Sequence, residues 1–418
     1  MKKILLTLLA VLFAFAVYAA DEEENQFSLN GNLSIQSFMG SSDHLNFDDR
    51  YSTEFPLTAD LELNGKYKVN KNLEFNATGV VGNYMNMLEN DPYYKRSAIS
   101  SHLYYLNGKY SNEGFGELTV GSFGFQVNPY VFKRTCNDWY FKNTRMGSGD
   151  YQMLGAAYQN TIGKFNTKIW YGKLGQNGFD DRDLYLQEFA LGKLKEYYGA
   201  EAGYDFGSVK LSGLYSKATS DINDDKSKIY GGSVSVPNNI ADFSANYYEQ
   251  DTDNIDKTKI WDLQLARKFG KLSTGAKYMF IGENYYGAGD WVFFYGDNNT
   301  VKGYEFDLGY DFCDNFNING YVQIGSEFKD DDASVMRSQW NFNYKFDDAN
   351  SLTFTWRNRF RKYADHSLNN RYENWLIFKY NHSFSKNLDF MLGYENFHKK
   401  QGTGTSNGVI FTQLMYNF

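Results

Sequence analysis

The chain has 418 residues and a formal net charge of −8, with 35 Tyr, 35 Phe, 4 Pro and 2 Cys. Its mean hydropathy is low, and after the first twenty residues no segment approaches the ~20 apolar residues a membrane helix needs, which excludes a helical membrane protein. The acidic balance excludes nucleic acid as a partner, because that would require a basic face, and two cysteines make no disulfide framework.

In chain order, Lys2 and Lys3 precede an apolar run from Leu5 to Val17, and Val17-Tyr18-Ala19 offers acceptable residues for signal peptidase. The sequence predicts an export signal over 1–19, cut after Ala19, and one folded domain over 20–418. Strand-like alternation starts near Phe27. Leu57, Ala59, Leu61, Leu63, Gly65, Tyr67 and Val69 form an apolar stripe against Thr58, Asp60, Glu62, Asn64, Lys66 and Lys68. Tyr304 to Phe312 and Trp340 to Phe346 repeat the pattern, which gives a strand one apolar and one wet face.

Nine turn candidates punctuate the alternation: 70–72, 111–114, 161–164, 206–208, 237–239, 270–271, 313–315, 347–350 and 385–387. Longer polar connections alternate with them, among them 39–55, 126–149, 175–195 and 282–300. The expected fold is all-β, a transmembrane antiparallel up-and-down β-barrel. Nine turns plus a first and a last strand give 20 strands, within a range of about 18–20 and with 16 open. A two-sheet soluble sandwich would alternate as well, but it has no reason to place aromatics beside the short turns. Here Tyr67, Tyr204, Phe206, Phe269, Phe312, Phe346 and Phe384 all lie there.

Ile410, Thr412, Leu414, Tyr416 and Phe418 alternate up to a terminal Phe. This resembles the last-strand signature of Gram-negative outer-membrane proteins, which implies that Leu414, Tyr416 and Phe418 are read by barrel-assembly machinery. Tyr104-Tyr105-Leu106-Asn107-Gly108-Lys109-Tyr110 followed by Gly116-Glu117-Leu118-Thr119-Val120-Gly121 resembles the general porin pattern of a fourth strand, a turn and a fifth strand ending in Gly. The sequence departs from that family at Ser122, where porins often carry Arg, and in lacking the acidic loop-tip motif of enterobacterial porins. The resemblance implies that 126–149 folds into the pore as a constriction loop, presenting Tyr130, Lys133, Arg134, Trp139, Tyr140, Lys142 and Arg145. With Phe132 and Phe141 the segment is too aromatic for a freely exposed loop.

Arg357, Arg359 and Arg361 alternate with the apolar face of Leu352, Phe354, Trp356 and Phe360 and therefore point into the lumen. Arg337, Lys345, Arg371 and Lys379 on neighbouring strands extend them into an expected basic wall, which selects by its field. The competing reading is mutual screening, with Glu373 paired to Arg371 and Glu395 nearby. Glu201, Asp205, Glu305 and Asp307 are expected as opposing lumen acids. The acidic runs Asp180-Asp181, Asp224-Asp225 and Asp330-Asp331-Asp332 read as solvated outer loops, or as sites of cation bridging to lipopolysaccharide.

Cys136 and Cys313 fall at opposite ends of this topology and are expected to stay unpaired. His44, His102, His366, His382 and His398 are scattered, and His382 falls in a lipid-facing register near the turns. No catalytic residue, metal site or cofactor is implied. The expected function is a porin giving passive diffusion of small hydrophilic solutes with a weak anion preference. The alternatives are a sugar-type specific channel and a non-conducting adhesin or anchor. The expected partners are outer-membrane lipid and lipopolysaccharide, the transported solutes and the assembly machinery, and a homotrimer stays open.

Overall fold

The computed structural model describes residues 27–40, 57–82, 100–128, 130–131, 151–174, 194–220, 224–238, 240–283, 285, 301–327, 333–363, 370–401 and 403–418. Among them are 20 strands in one sheet. The first ten are β1 (Phe27–Gly40), β2 (Leu57–Asn70), β3 (Leu73–Gly82), β4 (Ser100–Asn112), β5 (Gly116–Phe125), β6 (Tyr151–Ile162), β7 (Phe165–Leu174), β8 (Leu194–Asp205), β9 (Lys210–Ser220) and β10 (Lys226–Val236). The others are β11 (Asp242–Thr252), β12 (Ile255–Phe269), β13 (Leu272–Ile281), β14 (Val301–Cys313), β15 (Phe316–Glu327), β16 (Ser334–Lys345), β17 (Asn350–Lys362), β18 (Arg371–Ser385), β19 (Leu388–Gln401) and β20 (Thr403–Asn417).

Each strand pairs antiparallel with its sequence neighbours, and β1 also pairs with β20, so the sheet closes on itself. Closure leaves no strand edge, the one arrangement of strands that satisfies every backbone group in hydrocarbon. At the seam Gly31 and Phe418 exchange backbone hydrogen bonds in both directions, each 3.0 Å. The Ser37 and Thr412 hydroxyls bond at 2.8 Å. The number of strands is the one the nine turns predict, and the lower counts of 18 and 16 are excluded.

All nine expected turns join consecutive strands. Their chemistry is local: Asn70 Oδ1 accepts from the backbone N–H groups of Asn72 and Leu73 at 2.9 and 3.0 Å. At the two-residue turn Gly270-Lys271, Gly270 adopts φ 58°, a left-handed conformation that glycine takes without strain. The other end of the barrel departs from expectation. Connections there are not uniformly long: Asp253 and Asn254 alone join β11 to β12, with Asn254 at φ 65°. Residue 402 alone separates β19 from β20.

The apolar stripes face outward and stay exposed. Tyr304, Phe306, Leu308, Tyr310 and Phe312 on β14 are 53, 50, 42, 39 and 50% exposed, which excludes a dry sandwich interior. Phe206, Phe269, Phe346 and Phe384 form an exposed outer girdle beside the turns. His382 lies among them, its Nδ1 2.8 Å from Asn350 Oδ1 and its ring edge-on to Phe384.

The segment that resembles porins is the fourth and fifth strands, with one correction. The fifth strand does not end at Gly121 but continues to Phe125. Gly121 sits within it at φ 124°, opposite Asn107. Ser122, where porins often carry Arg, is buried and donates to the Tyr104 carbonyl at 3.2 Å. Cys313 is an exposed free thiol at a turn. The export signal, Cys136, Asp180, Asp181 and Asp330 to Asp332 lie outside the described residues.

Candidate functional site

Period-two geometry turns every second residue of each strand into the lumen, and the register fixes which of them stand side by side. One row runs through directly opposite pairs around six neighbouring strands: Lys277, Glu305, Gln323, Arg337, Arg359 and Glu373, on β13 to β18. Lys277 Nζ lies 2.7 Å from Glu305 Oε1, and Gln323 Nε2 donates to Glu305 Oε2. At the far end Arg371 clasps Glu373 with Nε at 2.7 Å and Nη2 at 2.5 Å, while Arg359 Nη1 is 3.7 Å from Oε2.

Arg337, Arg357, Arg359, Arg361 and Arg371 therefore gather on three adjacent strands around the buried Glu373 carboxylate. Aromatic rings support the guanidinium planes: Arg337 lies over Tyr321 at 5.7 Å, Arg357 over Trp375 at 4.9 Å and Arg361 over Tyr363 at 5.2 Å. Such contacts fix a cation's direction without neutralising it. Lys345 and Lys379 stand apart from this group. Lys345 bonds Asp348 in its own turn at 2.6 Å, and Lys379 lies over the Phe411 ring at 5.7 Å.

Between the arginines and the turns, β15 to β17 carry an amide ladder. Thr355 Oγ1 donates to Asn341 Oδ1 at 2.9 Å, and Asn341 Nδ2 donates to Asn319 at 3.0 Å. One pair of residues nearer the turns, Thr353, Asn343 and Asn317 repeat the chain at 3.1 and 2.9 Å. The ladder presents a neutral hydrogen-bonding wall below a cationic one.

The expected acids lie in two places. Glu305 and Asp307 are not across the lumen from the arginines; Glu305 is two strands from Arg337 in the same row. Glu201 and Asp205 lie on β8, nine strands from β17, where Glu201 stands directly opposite Lys168 and Asp205 is 3.4 Å from Lys210. These residues line a cavity of about 710 Å³ toward the turn end, together with Glu117, Gln159 and hydroxyls such as Ser212 and Ser233.

The lumen also holds what alternation alone does not reveal, an apolar core inside the barrel. Phe123, Phe125, Met153, Trp170, Tyr197 and Tyr248 are buried together on β5 to β11. They occupy the polar phase of their strands; Trp170 is in step with Lys168, and Tyr197 with Glu201. Large apolar residues in the wet phase are the sequence signal that marks them. The start of the 126–149 segment seats on this core. Tyr130 stacks on Tyr248 at 5.5 Å between centroids and its hydroxyl accepts from Gln264 Nε2 at 3.4 Å. Asn128 Nδ2 bonds the Tyr248 hydroxyl at 3.2 Å, the Tyr285 hydroxyl donates to the Tyr130 carbonyl at 2.9 Å, and Lys168 Nζ donates to the Gln126 carbonyl at 2.5 Å. Lys133, Arg134, Trp139, Tyr140, Lys142 and Arg145 lie outside the described residues.

No family model and no curated protein matches the sequence. Solved structures do match the fold. The chain is similar to Pseudomonas aeruginosa OccK3 (OpdO), with TM-score 0.57, 12% identity, and 97% of this chain covered against 99% of that one. It is similar to the outer membrane protein opdK of Pseudomonas aeruginosa, with TM-score 0.56, 10% identity and coverage of 94% and 98%. It is also similar to Acinetobacter baumannii OccAB3, with TM-score 0.50, 11% identity and coverage of 94% and 99%. At these identities the likeness is one of fold: the chain shares the closed-barrel architecture of these proteins.

Proposed function

We propose that the protein is an outer-membrane porin through which small hydrophilic solutes diffuse passively, with a weak preference for anions. The observation that carries this reading is the lumen patch of five arginines on β16 to β18, inside a closed barrel whose outward stripes are apolar. On β16 to β19 five arginines stand with the buried carboxylates of Glu373 and Glu395, a surplus of cationic over acidic side chains beside the amide ladder. The field therefore favours anions while the amide ladder holds any polar solute. The short turns would lie in the periplasm and the opposite end would face the medium. The contacts of Asn128 and Tyr130 with β11 and β12 support 126–149 as the constriction, since they carry its first residues from β5 to the sixth and seventh strands along the wall.

Single-channel recording in planar bilayers under a potassium chloride gradient tests the reading. Stable conductance with a reversal potential on the anion side supports it. Absence of conductance in correctly folded protein rejects it and leaves the adhesin or anchor alternative. Saturable block by one class of solute would move the assignment to a substrate-specific channel.

A further inference from the structure

The chain is acidic overall, yet one outward-facing region is rich in lysine. Near the ends of β9 to β12 remote from the short turns, the outward positions carry Lys217, Lys226, Lys228, Lys257 and Lys259 against Glu249 and Asp251, with Asp224, Asp225 and Asp253 in the connections beyond them, Asp224 paired with Lys195. Lys217 and Lys228 are directly opposite each other across the β9–β10 pair, a like-charge placement that opposes strand pairing. Lys228 reaches Asp251 only at 4.0 Å, and Lys217 lies over the Tyr198 ring at 5.8 Å. Lys257 is tied to Glu249 at 2.7 Å and to the Tyr230 hydroxyl at 2.7 Å. One step nearer the middle of the barrel wall come Tyr215, opposite Tyr230, and then Tyr247, followed by the exposed Leu263 and Leu265.

We infer that this face of β9 to β12 binds a phosphorylated, acylated lipid of the outer leaflet, with phosphate between Lys217 and Lys228 and acyl chains along Leu263 and Leu265. The inference rests on the proposed membrane orientation. The order along the strands is lysine, tyrosine, leucine, which matches headgroup, interface and hydrocarbon in turn. Ammonium groups on a lipid-facing wall are costly unless they reach an anionic headgroup layer, and lysine serves phosphate as a flexible point charge. An anion between Lys217 and Lys228 also removes the repulsion of their register. The apolar stripe directly below favours a lipid phosphate over a free one.

The test measures binding of fluorescent lipopolysaccharide to the detergent-solubilised full barrel. The variants are K217Q/K228Q/K257Q/K259Q and, separately, E249Q/D251N, with folding of each checked by heat-modified gel mobility. The first should weaken binding roughly tenfold or more, as loss of several near-surface lysines implies. The second should strengthen it, and neither should change conductance. Dephosphorylated lipid should bind wild type as weakly as the variant binds intact lipid, whereas millimolar inorganic phosphate should not compete. Wild-type affinity in the lysine variant, or loss of wild-type binding on adding EDTA, would overturn the inference, the latter by showing that carboxylate-held divalent cations do the bridging. Should the lysine variant fail to fold, an unchanged or weaker affinity of E249Q/D251N overturns it alone. A barrel that binds lipid but does not conduct would refute the channel reading and leave this one standing.

Discussion

Arg359 stands between a like and an unlike charge: Arg337 faces it directly across the β16–β17 pair, and Glu373 faces it directly across β17–β18, 3.7 Å from its Nη1. The carboxylate thus allows two guanidiniums to share one level of a narrow wall. Glu373 is 1% exposed and is also clasped by Arg371, so its charge is spent within the cluster rather than offered to solute.

Replacing Glu373 by Gln should therefore raise anion selectivity and lower stability together. Removing one partner of a buried pair costs up to roughly 3–5 kcal/mol, and the partial exposure of Arg371 and Arg359 to lumen water puts this site toward the low end. A reversal potential shifted toward anions, with a lower urea midpoint, is the expected pair of results. A shift toward cations would contradict the assigned arrangement.

The triple variant R357Q/R359Q/R361Q should move the reversal potential toward cation preference while leaving the barrel closed. K345Q should do much less, because Lys345 is already held by Asp348 in its turn. A K345Q effect about one third that of the triple variant, equal per charge removed, would show that selectivity follows total lumen charge instead of the cluster.

Tyr130 gives a graded test of the inner segment. Tyr130→Phe keeps the stack on Tyr248 and loses the hydroxyl's contacts with Gln264 and Asp262, at about 0.5–1.5 kcal/mol for each hydrogen bond. Tyr130→Ala loses the buried ring, about 3–5 kcal/mol by analogy with other buried aromatics. Conductance should rise and become noisier for Ala while Phe stays close to wild type. Unchanged conductance in both would remove 126–149 from the permeation path.

At the β16–β17 turn, bonds from the Asn350 side chain and the Ala349 N–H to Asp347 hold its carboxyl below the usual carboxylate range. A depressed folded-state value means the stabilisation is present above the unfolded value, near about 3.9, and is lost as pH falls through the lower folded one. Asp347→Asn should thus flatten the fall in unfolding midpoint on acidification below that value. A wild-type slope retained in the variant would assign the acid sensitivity elsewhere.

Much of the fold is legible because it is written locally. Strand phase follows from side-chain alternation, and each of the nine turns is announced by residues such as Asn70, Gly270 and Asp347, whose conformational needs reach no further than three positions. The arginine cluster is legible for the same reason, since Arg357, Arg359 and Arg361 share one strand. Contacts set by long-range register are not legible. Nothing near Glu305 says that Lys277 will claim it, and nothing near Tyr130 names Tyr248. The two-residue link at Asp253-Asn254 was equally hidden, because polar composition does not reveal whether a connection will be brief or extended.

Closure at Gly31 and Phe418 has a consequence for biogenesis. The Ser37–Thr412 contact spans 375 positions of sequence, so neither β1 nor β20 can complete its hydrogen bonding until nearly the whole intervening chain has been made and laid down. A partly synthesised chain would expose two unsatisfied backbone rows and a curtain of outward aromatics. The seam behaves as a latch that is either shut or absent, and a chain of this kind must be held unfolded in transit until both sides of the latch arrive together.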